Sequence, residues 1–240
     1  MIHNFNVNFF QAINDQKSCN KFLNGHQKVL QKHGISNITT NNSNWFSNPS
    51  VYAVTIEKQE TNEIVGGIRV HLADGKTPLP LEDAVGGQDP KVYSLIKERT
   101  SIGITGEICG LWHSKELRIM GFSKILVRAL LAITEELNMD SLFALNSNYI
   151  QHLTLPLGFK INKSLCVNGD FLYPNNETIA RISELEDLKN LTNTQEEERK
   201  AIMILRNNPS LFSEERVIKG LFSIQYNLNL SQVSKTNIFS

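Results

Sequence analysis

The chain has 240 residues, of which 40% are hydrophobic, and its 24 basic residues balance its 24 acidic residues. This length suits one α/β domain with additions, and the balanced charge argues against a general attraction to nucleic acid or to an anionic membrane. We expect no signal peptide and no membrane span, because no apolar run approaches the roughly 20 residues that a span needs. The three cysteines are far apart and show no paired metal-ligand spacing, which favours a reduced, cytoplasmic protein without a metal site.

The first 50 residues predict a strand, a helix and a loop. Residues 7–10 form a short apolar run of the kind found in strands. Asp15 is placed to cap a helix whose apolar residues recur at helical spacing, and Gly34 can end it. Residues 39–50 are rich in Asn and Ser and therefore predict a loop.

A β-hairpin is expected next. Residues 51–57 and 64–71 are rich in β-forming side chains, and a polar, turn-like segment separates them. Gly66 and Gly67 lie within the second run. Glycine weakens a strand unless another backbone or a ligand approaches closely, so this pair indicates such an approach.

A long insertion follows the hairpin. Residues 72–103 contain three prolines, and a short helical run is expected at residues 92–99. Loops of this length in compact domains are usually functional or mobile. The insertion also carries several apolar residues that could line an acyl tunnel or pack a lid onto the core, namely Leu79, Leu81, Val85, Val92, Leu95 and Ile96.

The central part of the chain alternates between strand and helix patterns. We expect a strand at residues 104–112, a strongly amphipathic helix at 123–137, a short strand at 141–145, a short helix at 149–155 and closing strands within 159–173. This alternation followed by a final β region predicts a mixed α/β sheet.

The character of the chain changes after Ile182. A highly charged run at residues 195–200 is followed by two or three segments that we interpret as helical. The sequence therefore predicts a main domain over residues 1–182 and a helical C-terminal extension over residues 183–240.

Four segments occur in the order found in the GNAT acyltransferase superfamily. They are Ile64-Val65-Gly66-Gly67-Ile68-Arg69-Val70, Gly106-Glu107-Ile108-Cys109-Gly110-Leu111-Trp112, Arg118-Ile119-Met120-Gly121-Phe122-Ser123 and Leu157-Gly158-Phe159. Over about residues 5 to 180 the chain therefore resembles this superfamily. The resemblance implies an α/β (α+β) fold, with a mixed, mostly antiparallel central sheet flanked by helices.

The third segment matches the donor-binding signature of the superfamily at Arg118 and Gly121, with Ser123 as a small substitute at its end. A helix start offers unpaired N–H groups to a diphosphate, a glycine permits close approach, and an arginine adds a charge-assisted contact. By resemblance, Leu111 and Trp112 contact the pantetheine arm where two strands part. The full set of candidate donor-binding residues is Leu111, Trp112, Arg118, Ile119, Met120, Gly121, Phe122, Ser123 and Asn146.

Glu107 and Tyr149 are the candidate catalytic residues. Glu107 lies early on an apolar strand, where burial would raise its pKa toward the range that suits a base for an amine. Many members of the superfamily place a tyrosine, as the acid for the leaving thiolate, four residues before the glycine of the closing Gly-Phe pair. That position here is Thr154, which leaves Tyr149 or His152 as substitutes, or no dedicated acid.

Three functions remain open. The first is transfer of an acetyl or other acyl group from acetyl-CoA or another acyl-CoA to a small-molecule or protein amine. The second is long-chain transfer from acyl carrier protein, because the insertion resembles that of the autoinducer synthase and N-acyl amino acid synthase branch. The third is an inactive GNAT-fold binding module. The sequence does not determine which acceptor is used or whether the protein forms a homodimer.

Overall fold

Ten strands form one sheet in a computed structural model that describes residues 3–32, 34, 38–217 and 220–229. The strands are β1 (His3–Gln11), β2 (Val51–Lys58), β3 (Ile64–Leu72), β4 (Gly106–His113), β5 (Leu142–Ser147), β6 (Lys160–Ile161), β7 (Phe171–Leu172), β8 (Ile179–Leu185), β9 (Phe212–Val217) and β10 (Gly220–Asn227). Their order is β6-β8-β5-β4-β3-β2-β1-β10-β9, and β7 also pairs with β8. The pairs β4–β5 and β1–β10 are parallel and the others described are antiparallel, so the mostly antiparallel sheet is confirmed.

Helices cover both faces of the sheet. They are α1 (Gln16–Lys32), α2 (Pro80–Val85), α3 (Lys91–Ile102), α4 (Phe122–Ile133), α5 (Gln151–Thr154) and α6 (Glu196–Asn207). Helix α1 packs on β3 and β4, while α4 packs on the other face against β2, β3 and β4. None of the helices in the described ranges combines the length and apolar character that crossing a bilayer requires.

Helix α4 is covered on two sides, and nine of its twelve residues are buried. One side packs on the sheet, and α6 lies against the other. The carboxylate of Glu198 on α6 is 2% exposed and binds both Lys124 and Arg128 of α4. The sequence places these two basic residues on a solvated face of the helix, whereas the structure pairs them with a buried acid from the C-terminal region.

The expectation of a purely helical C-terminal region needs correction. Strand β8 spans the expected boundary after Ile182, α6 is the helix that follows, and β9 and β10 form a hairpin where further helices were expected. Strand β10 pairs with β1, and its Phe222, Ile224 and Tyr226 are buried in the same cluster as the core of β1. Alternation of apolar and polar residues along β10 is the strand signal that the helical interpretation missed.

The N-terminal helix and hairpin agree with expectation. The Asp15 carboxylate accepts a hydrogen bond from the Ser18 N–H, as an N-cap should. Gly67 of β3 lies beneath the ring of Phe22 on α1, and a Cβ there would be 2.4 Å from that ring. The glycine therefore permits the close approach of helix to sheet that the double glycine indicates.

Candidate functional site

Strands β4 and β5 lie side by side only near their starts. Their parallel pairing joins Glu107 to Phe143 and Ile108 to Ala144, although both strands continue for several residues. Among the described strands, no other strand pairs with β4 on this side. The later part of β4 therefore presents backbone N–H and C=O groups with which an extended ligand can pair.

A bulge in β4 lies where the two strands part. Arg69 of β3 pairs with Cys109 and Gly67 pairs with Trp112, so β4 carries one residue more than β3 in this interval. Gly110 adopts a φ of +60°, which favours glycine. A Cβ at this position would be 3.1 Å from Nε of Arg69, so glycine also makes room for a buried guanidinium.

The start of α4 is open, as the donor-binding hypothesis requires. Gly121 has a φ of +70°, and a Cβ added there would have no described atom within 4 Å. No described side chain caps the first turn of the helix. The Phe122 side chain is buried against Phe5 and Phe222 and fixes the helix start, and Ser123 is half-buried beside it. The first N–H groups of a helix have no acceptor within the helix, and such groups are the ones that bind anions at helix starts.

The other candidate donor residues either serve the core or have side chains outside the described part of the chain. The side chains of Arg118 and Ile119 are in the second group. Met120 and Leu111 are half-buried and pack against the apolar cluster beneath α4. Trp112 is 4% exposed and packs on Gly25 of α1, so its side chain is a core anchor while its backbone lies along the parted strand.

Glu107 is buried where β4 and β5 part. It is 2% exposed, and its Oε2 accepts a hydrogen bond of 2.7 Å from the backbone N–H of Leu81 in the insertion. Burial raises its pKa to about 8, against the opposing effects of the Leu81 N–H and the positive charge of Arg69. A carboxyl group with this pKa is suited to accept a proton from an ammonium or amine near neutral pH.

The structure does not bring Tyr149 near Glu107. Tyr149 lies in an exposed turn after β5, with its ring centroid 5.8 Å from that of His152. Phe143, which pairs with Glu107, precedes the end of β5 by four residues, or roughly 13 Å of extended chain. The two candidate catalytic side chains therefore occupy opposite ends of the gap.

Asn146 and Thr154 form a buried polar contact in the core. Asn146 Nδ2 donates to Thr154 Oγ1 at 3.3 Å and to Ser183 Oγ at 3.1 Å. The Asn146 side chain thus holds β5 to α5 and β8. The position where many superfamily members carry a tyrosine is occupied by a buried threonine hydroxyl.

An exposed basic groove lies at the carboxyl end of β4, on the side of α1. Its volume is about 450 Å³, and its lining includes Lys21, Lys28, Lys32, Lys58 and Glu63, of which the last two form an ion pair at 3.3 Å. Helix α1 contains four lysines and no acidic residue, although the whole chain is electrically neutral. The groove therefore concentrates positive charge between α1, the turn that joins β2 to β3 and the carboxyl end of β4.

Solved structures with the same arrangement of strands and helices exist, although no family model and no curated protein sequence matches the chain. The structure of FeeM, an N-acyl amino acid synthase from uncultured soil microbes, aligns with a TM-score of 0.61 and 14% identity, over 82% of this chain and 98% of that one. MesI, a CoA-dependent acyl-homoserine lactone synthase, aligns with a TM-score of 0.53 and 12% identity, over 84% and 95%. A putative N-acetyltransferase from Lactobacillus plantarum aligns with a TM-score of 0.51 and 11% identity, over 77% and 99%.

The chain has the GNAT fold. The resemblance inferred from four short segments is thereby confirmed at the level of fold. The parted strands β4 and β5 and the glycine-led start of α4 are the features of this GNAT fold that bear on a donor. Among the described residues, no group of three or more His, Cys, Asp or Glu side chains is arranged to hold a metal ion.

Sequence reasoning missed a buried polar row beside Glu107. Across the β3–β4 ladder, His71 pairs with Glu107 and Arg69 pairs with Cys109, so the four side chains share one face of the GNAT sheet. Arg69 is fully buried, its Nη2 donates to the Thr40 carbonyl at 2.8 Å, and its guanidinium carbon lies 4.2 Å from the centroid of a tryptophan ring. The alternation of Gly67, Arg69 and His71 along β3 was the available signal.

Burial controls the protonation of this row. It holds the pKa of His71 well below its usual range, with a further lowering by the charge of Arg69. It raises the pKa of the Cys109 thiol to about 12. His71 and Cys109 are therefore neutral near pH 7, and Arg69 carries the positive charge of the row.

Proposed function

We propose that the protein is an N-acyltransferase that moves an acyl group from a thioester to an amine by direct attack. The observation that carries the proposal is the parting of β4 and β5 immediately after Glu107. Several GNAT-fold neighbours are acyltransferases that act with CoA or form N-acyl amino acids, which supports the same chemistry here.

Donor binding follows from the backbone of two elements. The pantetheine arm of acetyl-CoA or another acyl-CoA pairs with β4 beyond Ile108 as a missing strand would. The diphosphate lies at the amides that begin with Gly121, where the chain direction and the helix dipole favour negative charge. In this pose the thioester carbonyl comes to lie near the point at which the strands part, beside Glu107.

The reaction needs one proton acceptor. The acceptor ammonium loses one proton to Glu107, and the neutral amine then forms a bond from nitrogen to the thioester carbon. The carbon–sulfur bond breaks with its electron pair leaving on sulfur, and the second proton that the nitrogen loses balances the one that the thiolate takes up. A thiolate leaves readily and then takes up one proton. Because Tyr149 lies at the opposite end of the gap from Glu107, we propose that water carries this proton to the sulfur, and Tyr149→Phe should leave kcat unchanged.

A thiol-release assay tests the proposal directly. Purified protein is incubated with acetyl-CoA or a longer acyl-CoA and a panel of amines, and free thiol and acylated amine are measured together. Turnover that depends on both substrates supports the proposal. A thermal shift with acyl-CoA but no product with any amine would instead indicate a binding module, and no shift and no product would contradict donor binding altogether.

The basic groove favours a second candidate, in which acyl carrier protein delivers a long acyl chain to an amino acid. An acidic carrier protein complements a surface that presents Lys28 and Lys32 at the end of β4. The apolar residues of the insertion are buried in a cluster with Phe143, Leu165, Phe171 and Ile182, so they pack a cover over the sheet. A long chain would lie against this cluster.

Charge reversal in the groove distinguishes the two donors. The double substitution Lys28→Glu and Lys32→Glu lowers kcat/KM for an acyl carrier protein thioester about tenfold or more, because it removes attraction that steers association. The value of kcat/KM for the same acyl group carried on pantetheine alone should not change. Lys17→Glu, on α1 but outside the groove lining, is the matched control. Equal effects of the two variants would contradict a carrier-protein site in the groove.

A further inference from the structure

A backbone amide from the insertion contacts the buried carboxyl group of the proposed base. The Leu81 N–H donates to Glu107 Oε2 at 2.7 Å. Leu81 is fully buried and Glu107 is 2% exposed. Neither the length nor the apolar character of the insertion indicates this contact. The hydrogen bond ties the insertion to β4 across 26 positions of sequence.

The amide is held firmly in position by the packing of α2. The side chains of Leu79, Leu81 and Val85 are buried in the cluster with Phe143 on the same sheet face. The Pro80 carbonyl accepts a hydrogen bond of 3.3 Å from Thr39 Oγ1, and this links the insertion to the loop that follows α1. The donor therefore has a fixed direction with respect to Glu107.

We infer that α2 is a positioning element for the base: the Leu81 N–H orients the Glu107 carboxyl group and stabilises its ionised form. The inference rests on the proposed function for the role of Glu107, but the hydrogen bond and its effect on ionisation do not depend on that function. The insertion then has two separate roles, which are to orient the base and to cover an acyl chain.

The physical reason is that burial disfavours the ionised carboxylate and few groups oppose this effect. A hydrogen bond from an N–H group stabilises the charged form, and so does the Arg69 guanidinium on β3. Glu82 and Asp83 on α2 disfavour it by repulsion. The remaining titratable groups that face the base from neighbouring elements are His71, Cys109 and Tyr173, which are uncharged near neutral pH.

Two substitutions at one position isolate the amide. Leu81→Pro and Leu81→Ala both remove the leucine packing, but Leu81→Pro also removes the N–H. Leu81 lies in the first turn of α2, where backbone N–H groups have no partner within the helix, so proline there breaks no helical hydrogen bond. It does disfavour the helical conformation of the preceding Pro80. Replacement of Leu81 by leucic acid, which converts the amide to an ester, removes the N–H while keeping the side chain and serves if Leu81→Pro does not fold.

The ionisation of Glu107 is measured by carbon NMR of labelled glutamate in the ligand-free protein, with Glu107→Gln identifying its signal. We expect the pKa to rise by about one to two units in Leu81→Pro or the ester variant relative to Leu81→Ala. In steady-state assays the rise of kcat with pH moves upward by a similar amount, while the KM for the acyl donor is nearly unchanged.

The outcomes separate the inference from the proposed function. An unchanged Glu107 pKa overturns the inference, and so does a shifted pKa with an unshifted rate profile. If no variant and no wild-type protein turns over any substrate, but the pKa shifts as expected, the hydrogen bond is correctly assigned and the acyltransferase proposal fails.

Discussion

The two faces of the central sheet are built differently. Beneath α4, the strands and helix form one continuous apolar cluster that includes Phe5, Ile68 and Leu130. On the opposite face the apolar residues divide into two clusters, and the guanidinium group of Arg69 and the carboxyl group of Glu107 lie buried where these clusters meet.

We infer from this difference that the face beneath α4 carries stability and that the opposite face carries the proposed chemistry. Burying a charged or titratable group without full pairing costs free energy, so a fold selected for stability alone would avoid it. In this protein the groups whose burial costs free energy lie on the face that contains the bulge at Gly110 and the parting of β4 and β5. Titratable groups with shifted pKa values at such a position indicate a functional site.

The largest expected effect is the loss of the base in Glu107→Gln. We expect kcat/KM to fall by about 10²–10⁴-fold, which is the usual contribution of a general base. Thiol release measured with a saturating amine checks this. A variant that retained full activity would remove Glu107 from the mechanism.

The same substitution should stabilise the protein at alkaline pH. The pKa of Glu107 is about 8 in the folded protein and lies near its ordinary value when unfolded, so wild-type stability falls as pH rises from about 4.5 to 8. Glu107→Gln removes this slope and raises Tm at pH 8 by a few degrees. Glu60→Gln, in the exposed turn before β3, is the control and should change neither property.

A substitution on the face of α4 that packs on the sheet should lower stability and leave activity unchanged. Leu130→Ala leaves a cavity in the continuous cluster and lowers the free energy of unfolding by about 2–5 kcal/mol. Denaturant titration measures this loss, with Ile204→Ala on the exposed side of α6 as the control. The activity per folded molecule should be unchanged. A specific loss of activity would show that the two faces are not separate in their roles.

The smallest expected effect concerns the start of α4. Gly121→Ala and Gly75→Ala both place a side chain at a φ of +70° with open space around it, so each should cost about 1 kcal/mol of stability. Only Gly121→Ala should also weaken acyl-CoA binding, since Gly75 lies in the insertion. Titration by calorimetry compares the two, and equal affinities would place the diphosphate elsewhere.

Local signals in the sequence were sufficient for part of this picture. The apolar surroundings of Glu107 in β4 predicted its burial, and Gly121 before a strong amphipathic pattern predicted an open helix start. The amphipathic pattern of α4 also gave the helix within a few residues of its bounds. Each of these depends on neighbours in sequence, which is why sequence reasoning reached them.

Features that depend on distant pairing were missed. The cross-strand partners of Arg69 follow from the register of β3 and β4, and the contact of Leu81 with Glu107 joins residues 26 positions apart. The hairpin β9–β10 was interpreted as helical because its charged first strand does not resemble a core strand, although β10 alternates clearly. Pairing across the sheet, which no local pattern encodes, decides the first two, whereas the alternation along β10 was a local signal that was overlooked.

A crystal structure with a non-hydrolysable acyl-CoA analogue tests the central claim most directly. We predict that amides of the pantetheine arm hydrogen-bond to the backbone of β4 beyond Ile108, with the acyl carbonyl beside Glu107 and the diphosphate at the amides that begin with Gly121. An analogue bound elsewhere, with β4 and β5 paired along their full lengths, would contradict it.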